Sequence, residues 1–270
     1  MDKSDTQMGA TSAASARWFD AYVSCYGTEE PSSFAKAMAE TIPIEAGKTK
    51  LLDIGCGSGI IGLYALLARG AHSATFTDLF PKWLHVAQCN AEIRVREGAI
   101  QPSQVSFTKA GQFARLDPEI VFQHNLLSFN PPQLPTAFVD EDTLRNLAAD
   151  PIQSGFRIGG RDGLRIVRNF LKWYSSLTLP DLPDSASRKP DAVLLLSSFL
   201  GRRLIEKTIA SYGLLVISGK PVETPATLRK MFWKKADELS HSPVEIEDRS
   251  LTRDGEVWKK KLLTYRLNNS

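Results

Sequence analysis

The run Leu51-Leu52-Asp53-Ile54-Gly55-Cys56-Gly57-Ser58-Gly59 constrains the fold more than any other part of the chain. It begins as an apolar strand and ends in a loop whose three glycines free the backbone to turn sharply and let a ligand approach closely. Beyond it, Ile60, Ile61, Leu63, Tyr64, Leu66 and Leu67 recur at helical spacing. Strand, tight turn and helix in that order start a βαβ unit, and the alternation continues downstream. Strands are predicted over 74–78, 105–109 and 125–129, with a helix opened by Pro81 between the first two. Two prolines, Pro131 and Pro132, stop the strand over 125–129, because they cannot donate to a ladder. Further on, the pattern predicts a helix over 161–176, a strand over 193–197, a helix over 202–211 and a strand over 214–218. Apolar runs separated by helices imply an α/β fold with a mostly parallel sheet and helices on both faces. A helix over 225–239 and a last strand over 261–267 complete the pattern. The turn Asp254-Gly255 before that strand suggests an antiparallel partner added at the sheet edge.

A chain of 270 residues has room for one large α/β domain. Residues 1–16, rich in Ser, Thr and Ala, read as a flexible tail without the apolar run of a secretory signal. No stretch reaches the roughly 20 apolar residues that span a bilayer. Cys25, Cys56 and Cys89 are far apart and odd in number, which points to a reducing compartment and a cytoplasmic, soluble protein. With 33 basic residues against 30 acidic ones, the net charge of +3 creates no strong field for nucleic acid or membrane. Small or protein substrates are favoured over RNA on that ground. His72, His85, His124 and His241 lack metal-ligand spacing, and no metal is expected.

The glycine loop and what flanks it suggest a ligand. The helix that begins near Ile60 turns free N–H groups and a positive dipole end toward the loop, which suits a carboxylate. Asp53, at the strand end, suits an ammonium group. Asp78 ends the next strand, where a carboxylate can accept from the two hydroxyls of a ribose. Gly57, Gly59 and Gly62, with Asp78 downstream, also satisfy G-x-G-x-x-G, so a nicotinamide dinucleotide fits the local pattern as well. Against it, the strand ends at Asp53-Ile54, ahead of Gly55, whereas a dinucleotide turn normally starts at the first glycine as the strand ends. Asn130-Pro131-Pro132-Gln133 follows the fourth strand. The Asn130 side-chain oxygen and the Pro131 carbonyl are acceptors able to hold two N–H bonds of an amine or amide, kept rigid by the prolines. Cys56 reads as a small residue in a crowded turn, and Trp173 and Tyr174 as packing residues.

Residues 52–59 together with Phe76-Thr77-Asp78 resemble the nucleoside motifs of class I methyltransferases that use S-adenosylmethionine (SAM). Phe129-Asn130-Pro131-Pro132-Gln133 resembles the motif of amino-methyltransferases that act on protein glutamines, on exocyclic amines of nucleobases and on small molecules. Similarity to the release-factor glutamine methyltransferases runs from about Tyr26 to Ser218. Within it, Tyr26-Gly27-Thr28-Glu29-Glu30 looks like their substrate-side entry segment. Gly159-Gly160-Arg161-Asp162-Gly163-Leu164 looks like the start of their helix beyond the catalytic loop. The resemblance implies a Rossmann-like catalytic domain over 46–270, preceded by a helical cap over 17–45. It implies SAM held by Asp53, Gly55, Cys56, Gly57, Gly59, Asp78, Leu79 and Asn130, with Gln112 and Phe113 near the adenine, where such enzymes often carry an acidic residue. Asn130 and Pro131 are then catalytic, and Gln133, Tyr26, Glu29 and Glu30 face the methyl acceptor. Two departures matter. Too few residues precede Asp53 for the separate helical domain that recognises a release factor, and Gln133 stands where an aromatic commonly packs. The first argues against a release factor as substrate, and the second points to a small, polar, nonaromatic acceptor; the expected acceptor is a nitrogen of a small polar molecule or a protein side chain. A nucleobase amino-methyltransferase, a noncatalytic SAM-binding protein and an NAD-dependent oxidoreductase remain as alternatives.

Overall fold

The computed structural model describes residues 33–110, 113, 116–139, 141–149, 158–178, 189–221, 226–227 and 232–268. They fall into two compact units, Met1–Phe129 and Asn130–Ser270. None of the described helices is long and apolar enough to cross a membrane.

The first unit runs α1 (Ser33–Thr41), β1 (Lys50–Ile54), α2 (Ile60–Leu67), β2 (Ser73–Asp78), α3 (Pro81–Arg96), β3 (Val105–Lys109), α4 (Pro118–Phe122) and β4 (Leu126–Phe129). All its strand pairs are parallel: β1 lies between β2 and β4, and β3 pairs on the far side of β2. Parallel strands need crossover connections, which α2 and α3 supply, and β1, β2 and β4 are mostly buried as the apolar runs require. Helix α2 has no polar stripe at all. Its residues Ile60 to Leu66 are buried, as in a helix that sits in the core rather than on a surface.

Gly62 on α2 shows how tightly that helix packs. A Cβ there would fall 2.8 Å from Cζ of Phe76 and closer still to its Cε1. Phe76 cannot retreat easily, since it is fully buried and stacks on Phe107 at 5.1 Å. Replacing Gly62 by Ala is therefore expected to destabilise the protein by about 2–3 kcal/mol. Chemical denaturation would measure it, and an unchanged midpoint would mean that the helix has slack against β2.

The second unit contains β5 (Leu134–Pro135), α5 (Glu141–Ala148), β6 (Ile158–Gly160), α6 (Arg165–Ser176), β7 (Asp191–Ser197), α7 (Arg202–Ala210), β8 (Leu215–Pro221), β9 (Ala226–Thr227), α8 (Trp233–Ser240), α9 (Pro243–Arg249), β10 (Thr252–Asp254), β11 (Val257–Lys260) and β12 (Leu262–Asn268). Every residue of β7 is buried. Strand β12 is antiparallel to β7 on one side and to β8 on the other. Within the first unit the strand order is the all-parallel β3-β2-β1-β4, and within the second it is β7-β12-β8. A separate core gathers Leu134, Phe199, Phe232, Ala236, Leu251 and Trp258, and the indole N–H of Trp258 donates to Asp237 at 2.9 Å.

Several expectations need correction in this unit. The antiparallel last strand is present, but it sits one strand in from the edge, with β8 outside it. The Asp254-Gly255 turn does not lead into it. That turn closes the β10–β11 hairpin of a small three-stranded sheet, where Asp254 pairs with Val257 and Gly255 takes φ 58. The helix expected over 225–239 is shorter. Ala226 and Thr227 pair with Lys260 and Lys259 as strand β9, and among the described residues the helix spans Trp233–Ser240. The apolar spacing of residues 231–233 gives the right element, but pairing with β11 claims the residues before it. The helix expected from 161 begins at Arg165. Gly160 and Gly163 take φ 90 and 83, outside helical space, and Asp162 accepts the Leu164 N–H at 3.0 Å just before the first turn. Trp173 and Tyr174 are buried, as expected of packing residues, and the Tyr174 hydroxyl donates to the Pro190 carbonyl at 2.7 Å.

Candidate functional site

Strand β1 ends at Ile54 and α2 starts at Ile60, so residues 55–59 form the whole turn. Gly55, Gly57 and Gly59 take φ values of 64, 55 and 81, a region that side-chain-bearing residues avoid. A Cβ on Gly57 would meet nothing within 4 Å, so the loop faces open space there. At Gly59 the reason is packing, since a Cβ would lie 3.1 Å from that of Ala87 on α3. The loop is fixed from several sides. The Cys56 N–H donates to the Thr77 carbonyl at 3.0 Å, and the Asn90 side chain donates to the Ser58 carbonyl at 2.9 Å.

Two carboxylates lie at this turn. Asp78, at the end of β2, accepts the Gly57 N–H on one oxygen and the Phe80 N–H on the other, both at 2.9 Å. Burial raises its pKa, and the backbone N–H bonds oppose that rise. Asp53 is wholly buried. It accepts from the Ser128 hydroxyl at 2.7 Å and from the Gly62 N–H at 3.3 Å. Burial pushes its pKa up to about 7, against those two bonds and helped by the charge of Asp78. No ion pair of the described residues reaches either carboxylate. Two acids without a cation under a loop open to solvent make a site that favours a positively charged ligand with hydroxyls to donate. The donor set fits a sulfonium nucleoside carrying an ammonium group.

The remaining predicted residues of this unit fall around the same turn. Leu79 is 52% exposed although apolar, next to Asp78. Phe113 is half-buried and meets Phe129 edge-to-face at 5.2 Å, and Phe129 lies 3.6 Å from the place a Gly55 Cβ would take. Cys56 is buried, and that burial, with Asp53 and Asp78 adding to it, raises the pKa of its thiol. Gln112, Tyr26, Glu29 and Glu30 lie outside the described residues.

In the second unit, Asn130 is half-buried, and its amide makes no hydrogen bond to a described residue. Pro131 is buried. Gln133 is engaged at both ends of its amide: Nε2 donates to the Leu195 carbonyl at 3.0 Å, and Oε1 accepts the Ser197 N–H at 2.6 Å. It thereby ties the Asn130–Gln133 segment to the end of β7. The other side of that segment packs on backbone. A Cβ on Gly159 would fall 2.7 Å from the Gln133 Cα, and one on Gly163 would fall 2.8 Å from the Gln133 carbonyl oxygen.

Two residues of these arrangements, Ser128 and Asn90, escape motif reading, though each leaves a trace. Ser128 is a polar residue inside the apolar strand β4, and Asn90 interrupts the apolar side of α3. Gly159 and Gly163 bracket a turn whose partner, Gln133, is remote in sequence.

No protein-family profile matches the chain. Over 119 residues it is 30% identical to the ribosomal RNA large subunit methyltransferase G of Streptomyces griseus, a match covering 44% of this chain and 29% of that protein. The chain thus spans under a third of the length of that curated relative. Among solved structures it is similar to PH1948 of Pyrococcus horikoshii, assigned as an RNA methyltransferase. That likeness has a TM-score of 0.51 at 13% identity and covers 96% of each chain. The fold is that of the Rossmann-like methyltransferases. In that fold the carboxyl ends of β1 and β2, where Asp53 and Asp78 stand, form the ligand-binding rim.

Proposed function

We propose that this chain is a SAM-dependent N-methyltransferase. The observation that carries the reading is the uncompensated pair Asp53 and Asp78 around a left-handed glycine loop, in the fold of the Rossmann-like methyltransferases. When bound, SAM would supply a sulfonium methyl group for in-line transfer to the acceptor nitrogen, with its thioether as the leaving group. The chain's own residues do the rest. Asp53 provides the negative field under the ammonium, Asp78 accepts the ribose hydroxyls, and the N-terminal N–H groups of α2 face the carboxylate. Leu79 and Phe113 offer apolar surface to the adenine.

Asn130 and Pro131 hold the acceptor nitrogen in this reading. The Asn130 oxygen and the Pro131 carbonyl accept its N–H bonds and turn its lone pair outward, which supplies orientation rather than proton transfer. Support comes from the parallel register of β1 and β4. Ile54 is paired with Phe129, each the last residue of its strand, and Asn130 is the next residue along the chain. Gln133 contributes by fixing the segment on β7 rather than by touching the acceptor, since its amide is already bonded at both ends. The preference for SAM over NAD rests on where β1 stops. Ile54 precedes Gly55, leaving Gly57 three residues past the strand, later than a dinucleotide turn begins.

The acceptor is the finer question. A small polar amine or a protein side chain suits the modest net charge. The similarity to a ribosomal RNA methyltransferase favours the amino group of a nucleobase instead. Calorimetry with SAM and with NAD tests the cofactor, and binding of NAD alone would overturn the reading. Labelled SAM with cell extract or RNA tests transfer. Asn130→Ala is expected to leave the SAM dissociation constant within about threefold while lowering kcat roughly a hundredfold, because it removes alignment and not cofactor contacts. Equal turnover by the variant would remove Asn130 from the mechanism.

A further inference from the structure

A cleft of about 490 Å³ in the second unit lies outside the residues assigned above, and four arginines line it: Arg161, Arg165, Arg168 and Arg249. The acidic residue of its lining is Asp162. The cleft therefore concentrates in one place a positive charge as large as that of the whole chain, which is +3.

Two of the arginines are already satisfied. Arg168 is ion-paired through both terminal nitrogens with Asp162, and this pair holds the Asp162 carboxyl below the usual carboxylate range. Arg249 donates to Glu245 at 2.7 Å and to the Phe199 carbonyl. Arg161 and Arg165 are different. Both are exposed, and neither side chain has a hydrogen bond or ion pair to a described residue. They project from the turn and the first residue of α6, where Gly160, at φ 90, leaves room for the Arg165 stem: a Cβ there would fall 2.8 Å from the Arg165 Cβ. The cleft is not polar throughout. Phe138, Leu200 and the exposed Leu204 supply apolar wall, and the guanidinium of Arg249 lies 5.7 Å from the centre of the Phe138 ring.

Unpaired guanidinium groups match phosphate oxygens, and an apolar wall with an aromatic ring matches the flat face of a base. The geometry points to this cleft as a binding site for a nucleoside phosphate, with Arg161 and Arg165 on the phosphate and the Phe138–Leu204 side against the base. The turn that carries Arg161 also packs on the backbone of Gln133 through Gly159 and Gly163. A nucleotide held there sits one turn of chain from the segment proposed to hold the acceptor. Phosphate recognition by the cleft stands without methyl transfer. Its assignment to the acceptor rests on the function proposed above, and makes that acceptor a nucleotide or an RNA strand.

The test uses the full chain and three probes: a fluorescent single-stranded RNA of about 12 nucleotides, a nucleoside 5′-monophosphate and inorganic phosphate. Arg161→Gln/Arg165→Gln is expected to weaken RNA binding at least tenfold near physiological salt. It should also flatten the log–log salt dependence by about 1.4, the loss of two phosphate contacts on a single strand. Arg161→Lys/Arg165→Lys should recover most of the salt slope but not the full affinity. Lys48→Gln/Lys50→Gln removes the same charge from the exposed start of β1 and should change binding less than about twofold. Saturable binding of the monophosphate, abolished by the glutamine pair, would identify a free nucleotide as ligand. Binding of RNA alone would identify a strand. Equal losses in the lysine control, or no loss in the arginine variant, would overturn the site. SAM titration of the same variants separates the two proposals: a chain that ignores SAM yet loses RNA with Arg161 and Arg165 keeps the cleft and loses the methyltransferase reading.

Discussion

Replacing Asp53 by Asn is expected to stabilise the unliganded protein at pH 8 while lowering its affinity for SAM at least tenfold. The reason is that Asp53 is wholly buried with its pKa pushed up to about 7, far above the 3.8 of a free side chain. A raised carboxyl pKa means that the folded state binds the proton more tightly than the unfolded chain does. Stability from this group is therefore greatest at low pH and declines as pH rises from about 4 to about 7, by up to about 4 kcal/mol. Asparagine keeps the shape and both bonds: its oxygen can accept the Gly62 N–H, and its nitrogen can donate to the Ser128 hydroxyl. It removes the buried charge, so the melting temperature of the variant should exceed that of the wild type by several degrees at pH 8 and by less than half as much at pH 5. Cofactor affinity should behave in the opposite sense. The cation needs the ionised carboxylate, so wild-type affinity should climb through pH 7, whereas that of the variant should lack this rise. Thermal melts and calorimetry across pH 5–8 would decide it. An equal stability change at both ends of the range would show that Asp53 is not held protonated, and an unaltered SAM affinity would take it out of the site.

Replacing Gly159 by Ala is expected to abolish most turnover while sparing the cofactor. Its backbone is not in the left-handed region, so the conformation tolerates a side chain, but the space does not. The new Cβ would press on the Gln133 Cα and, nearer still, on the Gly163 carbonyl oxygen. Both neighbours are backbone, which cannot step aside as a side-chain tip can. Either the protein loses about 3 kcal/mol or the segment from Asn130 to Gln133 moves away from β7. Misplacing an aligning residue by an ångström lowers rates by about a hundredfold. The residues proposed to bind SAM belong to the other unit, and the affinity for SAM should stay within about twofold. A melting curve and a kcat measured with saturating SAM separate the two responses. A variant as stable and as active as the wild type would show that the close packing of this turn is not needed.

The first unit was largely legible in the sequence because its determinants are local. The apolar run before Gly55, the glycines that demand a left-handed backbone and Pro81 at the first turn of α3 each act on their immediate neighbours. β3 falls where the alternation predicted it, and β1, β2 and β4 within a residue or so. The second unit was less so, because its determinants are distant in sequence. Gln133 was expected to meet the acceptor, yet its amide bonds to Leu195 and Ser197, some sixty positions on, and no pattern around Asn130 signals those partners. The strand at Ala226–Thr227 exists through pairing with Lys259 and Lys260. The arginine cleft combines a turn at residues 160–162 with Arg249 from α9, so the overall charge of +3 conceals a concentrated patch. Asp53 was legible as a candidate residue but not as a buried acid, since its partner Ser128 comes from β4.

Strand β12 has a consequence for how this chain must be made. β7 and β8 are separated in sequence by little more than α7, yet they never pair with each other, because residues 262–268 lie between them. Until the ribosome has released those residues, both strands have an unfilled edge, and β7 is apolar along nearly its whole length. A nascent chain in that state resembles an open zip with a missing middle tooth row, prone to capture by any other extended peptide. Holdase chaperones are thus expected to engage the polypeptide until residues 262–268 have emerged, and stalling it just before Leu262 should trap the species they recognise.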